Sequence, residues 1–342
     1  MKSTAIVSIV VITWNSQEKL PICLDYLIKQ NYPKDNIELI IVDGGSRDRT
    51  FDIYQNYRKK FLKSKLIKTK IKDPEPKRAI GFLQAQGEYI AIIDPDNYMT
   101  DKNWLNDMIA PLDGDKSLIG SQTLYYQYNK NETLTNRYFG LFGFNDPVVF
   151  YLGKADRIPH FEKYWLFNNQ FIDKGNYFEV TFDKLIPTMG CNGVIFRRKQ
   201  YIKAISSPQN YFHIDIVKDL VDSGLTKFAI VKNDILHSTS SSFKSSITRR
   251  VSYMGIHYLE KLKQRHYLIY DPQSKDDKKN LIKFIIYTVT VIQPLYLSIK
   301  GFIKIRDIAW FLHWPMCLGM LIAYGYVTLK NRLVSNKLLK SD

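Results

Sequence analysis

The sequence predicts an α/β fold, a doubly wound and mostly parallel β-sheet with helices on both faces. Short β-branched and aliphatic runs alternate with segments of helical periodicity, and polar clusters follow two of these runs directly. With 342 residues, of which 45% are apolar and 24% charged, the chain is long enough for a large core. These proportions exclude intrinsic disorder and coiled coil.

The N-terminal part of the chain alternates between strands and helices. Strands are predicted at 6–12, 37–42, 66–71 and 89–93, and helices at 18–30, 50–62 and 77–86. Parallel sheets of this kind bind ligands at the carboxyl ends of their strands. The polar clusters at 43–48 and 94–97 follow strand ends, so we expect the functional site there.

The middle of the chain is less regular. Residues 101–182 are rich in Tyr, Phe and Asn, and we expect loops and short helices laid across the sheet. Beyond them the pattern predicts a strand at 193–196, a helix at 213–223, a strand at 228–231 and a basic amphipathic helix at 247–270. We divide the chain into a principal domain, 1–240, a basic amphipathic connection, 241–280, and an apolar segment with a basic tail, 281–342.

Positive charge is concentrated towards the C-terminus. The net charge is +16, and residues 239–342 hold 17 Lys and Arg against 6 Asp and Glu, which gives +11 and leaves +5 for the rest. This surplus surrounds two apolar stretches, 281–299 and 308–329, as is typical of segments that meet an anionic membrane surface. A nucleic-acid-binding protein would instead carry its basic residues on the folded domain. We therefore expect a membrane partner and no nucleic acid.

Four motifs, in order and at suitable spacing, resemble those of the family 2 inverting glycosyltransferases, which have the GT-A fold. The resemblance runs from about residue 5 to 255, and its motifs are Val10-Val11-Ile12-Thr13-Trp14-Asn15, the segment Glu38 to Thr50, Lys77-Arg78-Ala79-Ile80-Gly81 and Asp94-Pro95-Asp96. It implies a GT-A catalytic domain at 1–240 and transfer of a sugar from a UDP- or GDP-sugar donor with inversion.

The resemblance also implies which residues bind the donor. The nucleotide-sugar ligands would be Thr13, Asn15, Asp43, Ser46, Arg78, Asp94 and Arg249. The Asn that follows the Arg in the family is Ala79 here, so that side chain's role is absent. Asp94, Asp96 and His237 would hold Mg²⁺ or Mn²⁺, since carboxylate oxygens are hard ligands and a divalent cation neutralises charge on the leaving diphosphate. The alternative for the Asp-Pro-Asp triplet is an ordinary turn, and for His237 an ordinary strand-end residue.

The acceptor side of the reaction is predicted from two further segments. Met189-Gly190-Cys191-Asn192-Gly193 resembles the family's acceptor segment, so Gly190, Cys191 and Asn192 are expected to contact the acceptor. Asp215 stands where the family places its general base, although Ile214 replaces the Glu that precedes it, and Asp219 is the alternative. The segment 246–250 lacks the Gln and Trp of processive relatives, which predicts transfer of one sugar or a few.

The acceptor is expected to be membrane-linked, either a lipid-linked saccharide or a polyprenyl phosphate, with the catalytic domain on the cytoplasmic face of the cell membrane. If both apolar stretches spanned, Lys300, Lys304 and Arg306 would lie in the outer loop, against the positive-inside tendency. At least one stretch is therefore expected to lie in the membrane plane or to re-enter. A sugar-nucleotide pyrophosphorylase is the alternative enzyme, but the turn after the first strand has no glycine.

Overall fold

The computed structural model describes residues 5–61, 63–167, 170–183, 185–239 and 242–338. The chain forms two compact units, Met1–Gln127 with Trp165–Ser238, and Tyr128–Tyr164 with Thr239–Asp342. Residues 128–164, expected within the 1–240 domain, are thus grouped with the C-terminal helices. The boundaries at 240 and 280 stay predictions about domains.

The first unit is built on one sheet. Its strands are β1 (Val7–Thr13), β2 (Ile37–Asp43), β3 (Lys63–Lys68), β4 (Tyr89–Ile92), β5 (Asn97–Tyr98), β6 (Gly120–Tyr126), β7 (Gln170–Asp173), β8 (Tyr177–Thr181), β9 (Val194–Arg197) and β10 (Lys227–His237). They are ordered β3-β2-β1-β4-β9-β6-β10-β8-β7, with β5 paired to β10. Along this path only β9 and β8 run against the other strands. The predicted mostly parallel α/β sheet is confirmed.

Helices occur in both units. They are α1 (Leu20–Ile28), α2 (Thr50–Tyr57), α3 (Pro74–Gln84), α4 (Trp104–Gly114), α5 (Leu134–Phe142), α6 (Pro147–Tyr151), α7 (Arg198–Lys203), α8 (His213–Asp222), α9 (Phe243–Tyr253), α10 (Lys275–Thr290), α11 (Ile292–Lys304) and α12 (His313–Leu338). Helices α5, α6 and α9 to α12 belong to the second unit. In the first unit every residue of β1 and β2 is buried, as expected for central strands covered on both faces.

The expectation of loops and short helices at 101–182 is wrong for the three strands β6, β7 and β8. Strand β6 lies inside the sheet between β9 and β10, and it pairs in parallel with β10. Its sequence, GSQTLYY, places three polar residues in buried positions, so the apolar run that marks a central strand is missing. This strand forms because it pairs with strands that are distant in sequence, and a local sequence pattern does not indicate such pairing.

The predicted helix at 247–270 is also wrong in its extent. Helix α9 ends at Tyr253, the chain continues as a π-helical segment, Met254–Glu260, and a short 3₁₀ turn, Leu262–Gln264, and no helix follows before α10. Gly255, a poor helix former, lies at this change of geometry.

The first apolar stretch is broken at Val291, which has a left-handed backbone with φ of +67°. Helices α10 and α11 consequently meet at an angle of 79°. In the second stretch a 3₁₀ turn, Ile308–Leu312, precedes α12. By length and composition alone, Ile308–Asn331 is the one described helix apolar enough to cross a membrane, with a mean hydropathy of 1.4; the bent pair α10 and α11 passes the same criteria together.

Candidate functional site

The carboxyl ends of the parallel strands β1 and β2 bring four predicted donor-binding residues together. The Thr13 hydroxyl donates to Asp43 Oδ1 at 2.9 Å, and the Ser46 hydroxyl donates to the same oxygen at 2.5 Å. The Asn15 backbone N–H donates to Ser46 Oγ at 2.8 Å, from a residue whose φ is +49°. The expected proximity follows directly from the register, which pairs Thr13 with Asp43.

Asp43 is strongly engaged within this loop. Besides the two hydroxyls, its Oδ2 accepts the backbone N–H groups of Gly45 and Ser46 at 3.0 and 2.8 Å. A carboxylate has about four acceptor positions. Asp43 therefore fixes the shape of the strand-end loop, and its direct contact with a nucleotide stays a prediction.

A buried lysine lies beneath the same loop. Lys77 of α3 donates from Nζ to the carbonyl oxygen of Thr13 at 2.9 Å. A Cβ on Gly44 would stand 2.7 Å from the Ile71 carbonyl oxygen and 3.0 Å from Lys77 Nζ, so only glycine permits this approach. Burial lowers the pKa of Lys77 to about 8. The lysine thus carries positive charge to the strand ends.

A chain of buried ion pairs connects β4 to α8. Arg78 donates from one guanidinium nitrogen to Asp94 Oδ2 at 2.6 Å and from another to Glu75 Oε1 at 2.5 Å. Glu75 in turn accepts the backbone N–H of His213 and contacts its ring Nδ1, each at 3.0 Å. Arg78 is therefore held between two carboxylates.

The charges in this row of ion pairs stabilise one another. Burial alone would raise the pKa of Glu75, but His213 and Arg78 outweigh it and hold that pKa well below its ordinary value. Burial alone would lower the pKa of His213, but Glu75 and Cys191 raise it to about 10. His213 is accordingly an imidazolium at neutral pH. A carboxylate and a cation are thus paired at the first residue of α8.

The pairing of β5 with β10 brings His237 next to the Asp94-Pro95-Asp96 segment. Strand β10 pairs with β5 so that His237 lies opposite Asn97, and His237 Nε2 lies 3.7 Å from Asp96 Oδ1. Lys19 Nζ lies 3.6 Å from Asp96 Oδ2. The predicted metal ligands Asp96 and His237 are thus adjacent, while Asp94 has one oxygen committed to Arg78.

These donors are compatible with a divalent cation held in part by substrate. Within the described residues, no group of three or more His, Cys, Asp and Glu side chains could hold a metal ion. Asp96 and His237 supply two neighbouring donors, a carboxylate and an imidazole. Asp94, one of whose oxygens pairs with Arg78, does not complete a group of three ligands with them. Oxygens of the predicted diphosphate would have to complete the coordination.

The predicted acceptor segment has an unusual backbone. Gly190, Asn192 and Gly193 have φ values of +124°, +59° and +83°. A Cβ on Gly190 would stand 2.9 Å from the His213 carbonyl oxygen, so the segment packs closely on the start of α8. Left-handed residues in such clusters are typical of functional sites.

Tyr126 joins the acceptor segment to the predicted metal ligands. Its hydroxyl accepts from Asn192 Nδ2 at 3.1 Å, and its ring centroid lies 5.3 Å from that of His237. Cys191 is half-buried and, together with Glu75, raises the pKa of His213. Asn192 and Cys191 are therefore tied to the two ends of the site.

Asp215 lies in the first turn of α8, two residues after His213, and is 3% exposed. Asp219, the alternative base, follows one turn later and is half-buried. Arg249 lies in α9 of the second unit, and its contact with the diphosphate stays a prediction. Four residues of the site were not among the predicted ligands or catalytic residues: Glu75, Lys77, Tyr126 and His213. The i, i+3 spacing of Glu75 and Arg78 was the available signal.

The comparisons with known proteins agree with this arrangement. The sequence profile described as "Glycosyl transferase family 2" matches residues 8–180. A relative from Staphylococcus aureus (strain Mu50), "Poly(ribitol-phosphate) beta-N-acetylglucosaminyltransferase TarS", is 36% identical over 107 residues. That alignment covers 31% of this chain and 18% of the relative, so the chain matches about a fifth of the relative's length.

Two solved structures share the fold. The mannosyltransferase PcManGT from Pyrobaculum calidifontis, in complex with GDP-Man and Mn²⁺, matches with a TM-score of 0.53 and 14% identity, covering 96% of this chain and 87% of that one. S. aureus TarS 1–349 in complex with UDP matches with a TM-score of 0.51 and 16% identity, covering 96% and 91%. These likenesses confirm the predicted GT-A architecture.

Proposed function

The chain belongs to glycosyltransferase family 2, and on that premise we propose that it transfers one sugar from a UDP- or GDP-sugar to a membrane-linked acceptor with inversion. Transfer from a nucleotide sugar is the activity of the family. The donor class is supported by the neighbours in complex with UDP and with GDP-Man. The proposed acceptors are a lipid-linked saccharide and a polyprenyl phosphate, and hexosyl transfer is the proposed specificity.

One observation carries the proposal: the two halves of a transfer site are connected within the first unit. Asp94 and Asp96 lie at the end of β4, with His237 beside Asp96. The ion pairs of Arg78 and Glu75 run from Asp94 to the first residue of α8, which carries Asp215. A donor end and a base end are thus held together by buried charge.

The proposed reaction is a direct displacement. Asp215 accepts the proton of the acceptor hydroxyl as that oxygen attacks the anomeric carbon. The new glycosidic bond forms on the face opposite the diphosphate, the bond from the anomeric carbon to the phosphate oxygen breaks, and the nucleoside diphosphate leaves with the electron pair. Attack from the opposite face inverts the configuration.

The remaining site residues support this step. Asp43 orders the strand-end loop formed by Thr13, Asn15 and Ser46, which we propose holds the nucleotide. Lys77 adds positive charge there. Asp94, Asp96 and His237 would hold a Mg²⁺ or Mn²⁺ ion, which, when bound, neutralises charge on the diphosphate. Gly190, Cys191 and Asn192 would line the acceptor side.

We place the chain at the cell membrane with its catalytic unit on the cytoplasmic face. The apolar helix Ile308–Asn331 and the basic C-terminal composition support this localisation. A second acceptor class, a poly(ribitol phosphate) polymer, is favoured by the name of the S. aureus relative.

Thermal denaturation with nucleotides tests the donor site. A ligand that binds only the folded state raises the melting temperature. We expect UDP or GDP, but not ADP or CDP, to raise it, and Mn²⁺ to increase the shift. Asp96→Asn should abolish the Mn²⁺-dependent part, whereas Asp35→Asn, an exposed carboxylate in a turn before β2, should preserve it. Absence of any shift with folded protein would refute the donor site.

A further inference from the structure

The C-terminal helices expose an apolar surface. Eleven large apolar side chains, which we call the C-terminal apolar surface, are exposed on α10, α11 and the 3₁₀ turn before α12: Ile282, Ile285, Ile286, Val289, Ile292, Leu295, Tyr296, Ile299, Ile303, Ile308 and Phe311. Soluble monomers rarely expose so many contiguous apolar groups.

The exposed residues form stripes rather than a scatter. On α10 they recur at i, i+3, i+4 and i+7 from Ile282, and on α11 they recur at i, i+3, i+4, i+7 and i+11 from Ile292. The opposite faces are buried in the second unit, through Phe284 on α10 and Leu297 on α11. Each helix therefore has apolar residues on two faces, one buried in the second unit and the other exposed to solvent.

The stripes are continuous with one another. They meet at the left-handed Val291, next to which Val289 and Ile292 are 67% and 74% exposed. At the other end of α11, the rings of Phe302 and Phe311 lie 5.4 Å apart and join α11 to the turn before α12. The bend of 79° means that α10 and α11 do not form one straight span, and their apolar stripes adjoin along the chain at the bend.

The charges around this surface favour an anionic partner. Residues 278–331 contain seven basic residues and one acidic residue, namely Lys278, Lys279, Lys283, Lys300, Lys304, Arg306 and Lys330 against Asp307. Asp307 is buried, accepts a hydrogen bond from the Tyr128 hydroxyl at 2.7 Å and forms an ion pair with Arg137 at 3.2 Å. Lys300 is ion-paired with Glu162, and the exposed Asp276 lies in the first turn of α10, six residues before the stripe begins. The charge beside the apolar stripes is therefore predominantly positive, as in helices that lie on anionic lipid.

Helix α12 is long enough to cross a bilayer, but a charged helix packs at its midpoint. A Cβ on Gly319 would stand 2.7 Å from Ile247 Cδ1 and 3.3 Å from Phe243 Cζ of α9. Helix α9 also carries the exposed Lys244 and Arg249. If Ile308–Asn331 spanned, these charges would lie at hydrocarbon depth, where they are strongly disfavoured.

We propose that the C-terminal apolar surface binds in the plane of an anionic lipid bilayer, and that α12 does not cross it. This inference deepens the membrane part of the proposed function, but it rests on the second unit alone. It specifies a one-sided attachment that places both ends of α12 on the same side of the membrane.

The test is binding of the full chain to sealed vesicles, followed by sedimentation. We expect binding to vesicles of equal parts phosphatidylcholine and phosphatidylglycerol, and much weaker binding to phosphatidylcholine alone. Val289→Glu with Ile303→Glu places charges at positions already two-thirds exposed, and should reduce binding at least tenfold. Ile22→Glu with Ile172→Glu, at exposed positions of the first unit, should bind as the unsubstituted protein does.

Sidedness is tested with a membrane-impermeant maleimide on protein added to preformed vesicles, in a Cys191→Ser background. Gln273→Cys, Arg306→Cys and Ser341→Cys should all label, since Arg306 is exposed just before the helix Ile308–Asn331. Protection of either Arg306→Cys or Ser341→Cys would show a spanning α12 and overturn the in-plane arrangement. Unchanged binding of the Val289→Glu, Ile303→Glu protein, or no binding of the unsubstituted chain, would overturn the surface.

Two controls separate this inference from its alternatives. Light scattering without lipid detects self-association. If the unsubstituted protein does not bind vesicles but forms a dimer that the Glu variant disrupts, the surface binds a second copy of this chain instead of lipid. The UDP or GDP thermal shift should be the same in the Glu variant, since the donor site lies in the first unit. If the Glu pair fails to fold, Val289→Ser with Ile303→Ser replaces it, with a smaller expected loss of binding.

Discussion

The two units depart from the usual distribution of polar and apolar groups in opposite directions. The first buries charge: Glu75, Arg78 and His213 are each less than a tenth exposed and are paired with one another. The second exposes apolar groups, with two-thirds or more of Val289 and Ile292 accessible. Buried charges and exposed apolar patches both oppose stability, so each is evidence for function. This contrast agrees with the two proposals, that the first unit binds a charged donor and that the second binds lipid.

We expect the largest effect from removing the proposed base, Asp215, which tests the role of the first unit. Asp215→Asn keeps the size of the side chain but cannot accept the acceptor proton, so turnover should fall by about 10² to 10⁴-fold. Donor-induced thermal shifts should remain, because the strand-end loop is unchanged. Initial rates with purified membranes as acceptor, together with the thermal shifts, provide the measurement.

Two variants on the same helix complete that experiment. Asp222→Asn alters an exposed carboxylate at the end of α8 and should retain activity. Asp219→Asn tests the alternative base. If Asp215→Asn kept near-normal turnover and Asp219→Asn were inactive, the general base would be assigned to Asp219, one turn later on α8.

A second test concerns the buried ion pair of Glu75 and His213. Glu75→Gln leaves two buried cations with a weaker partner, and breaking such a pair costs about 3–5 kcal/mol of unfolding free energy. In the fold the pKa of His213 is about 10, above its ordinary 6.5. Its charge therefore stabilises fully below pH 6.5, and this contribution is lost as the pH rises through 10.

The pH dependence isolates that contribution. The pKa of Glu75 lies below its ordinary 4.5, so Glu75 stays ionised throughout this range. Burial lowers the pKa of Lys77 to about 8, and Glu75 is not among the groups that shift it, so we expect the contribution of Lys77 to cancel in the difference between the two proteins. The stability difference between the wild type and Glu75→Gln should shrink from pH 6.5 to 10, with Glu18→Gln, an exposed residue, as the control. A difference independent of pH would show that the pair does not carry the charge described.

The sequence predicted the parts of the site that depend on local pattern. The runs that became β1, β2 and β4 are β-branched and buried, so the strand ends that carry Asp43 and Asp94 were identifiable. Contacts between distant segments were not. Glu75 and His213 are 138 positions apart, and nothing in the helical pattern around either residue indicates a partner.

The second unit illustrates the same limit in another form. Val291 breaks the first apolar stretch, and the helix-breaking residue in the sequence is Pro294, three positions later in the first turn of α11. Pro294 indicates a break near this point but not the angle between the helices, and hydropathy indicates only where apolar residues occur. The stripes on α10 and α11 became interpretable only once the buried faces were known.

The smallest predicted effect concerns the charges beside the C-terminal apolar surface. Lys283 and Lys304 are exposed on α10 and α11. Near an anionic membrane each lysine contributes about 1 kcal/mol, so Lys283→Gln with Lys304→Gln should weaken binding to phosphatidylglycerol-containing vesicles by roughly 25-fold at low salt. The matched pair Lys59→Gln with Lys199→Gln, exposed in the first unit, should change nothing.

Salt and lipid composition determine what that variant means. Screening shortens the range of surface charge, so the difference from wild type should narrow at high ionic strength and be absent on phosphatidylcholine alone. An equal loss on both lipids would mean that these lysines act through the fold rather than through the lipid charge. The lysine variant should lose vesicle binding only on anionic vesicles, whereas Val289→Glu with Ile303→Glu should lose binding on both lipids. That result would show that apolar insertion and electrostatic attraction contribute independently to the attachment.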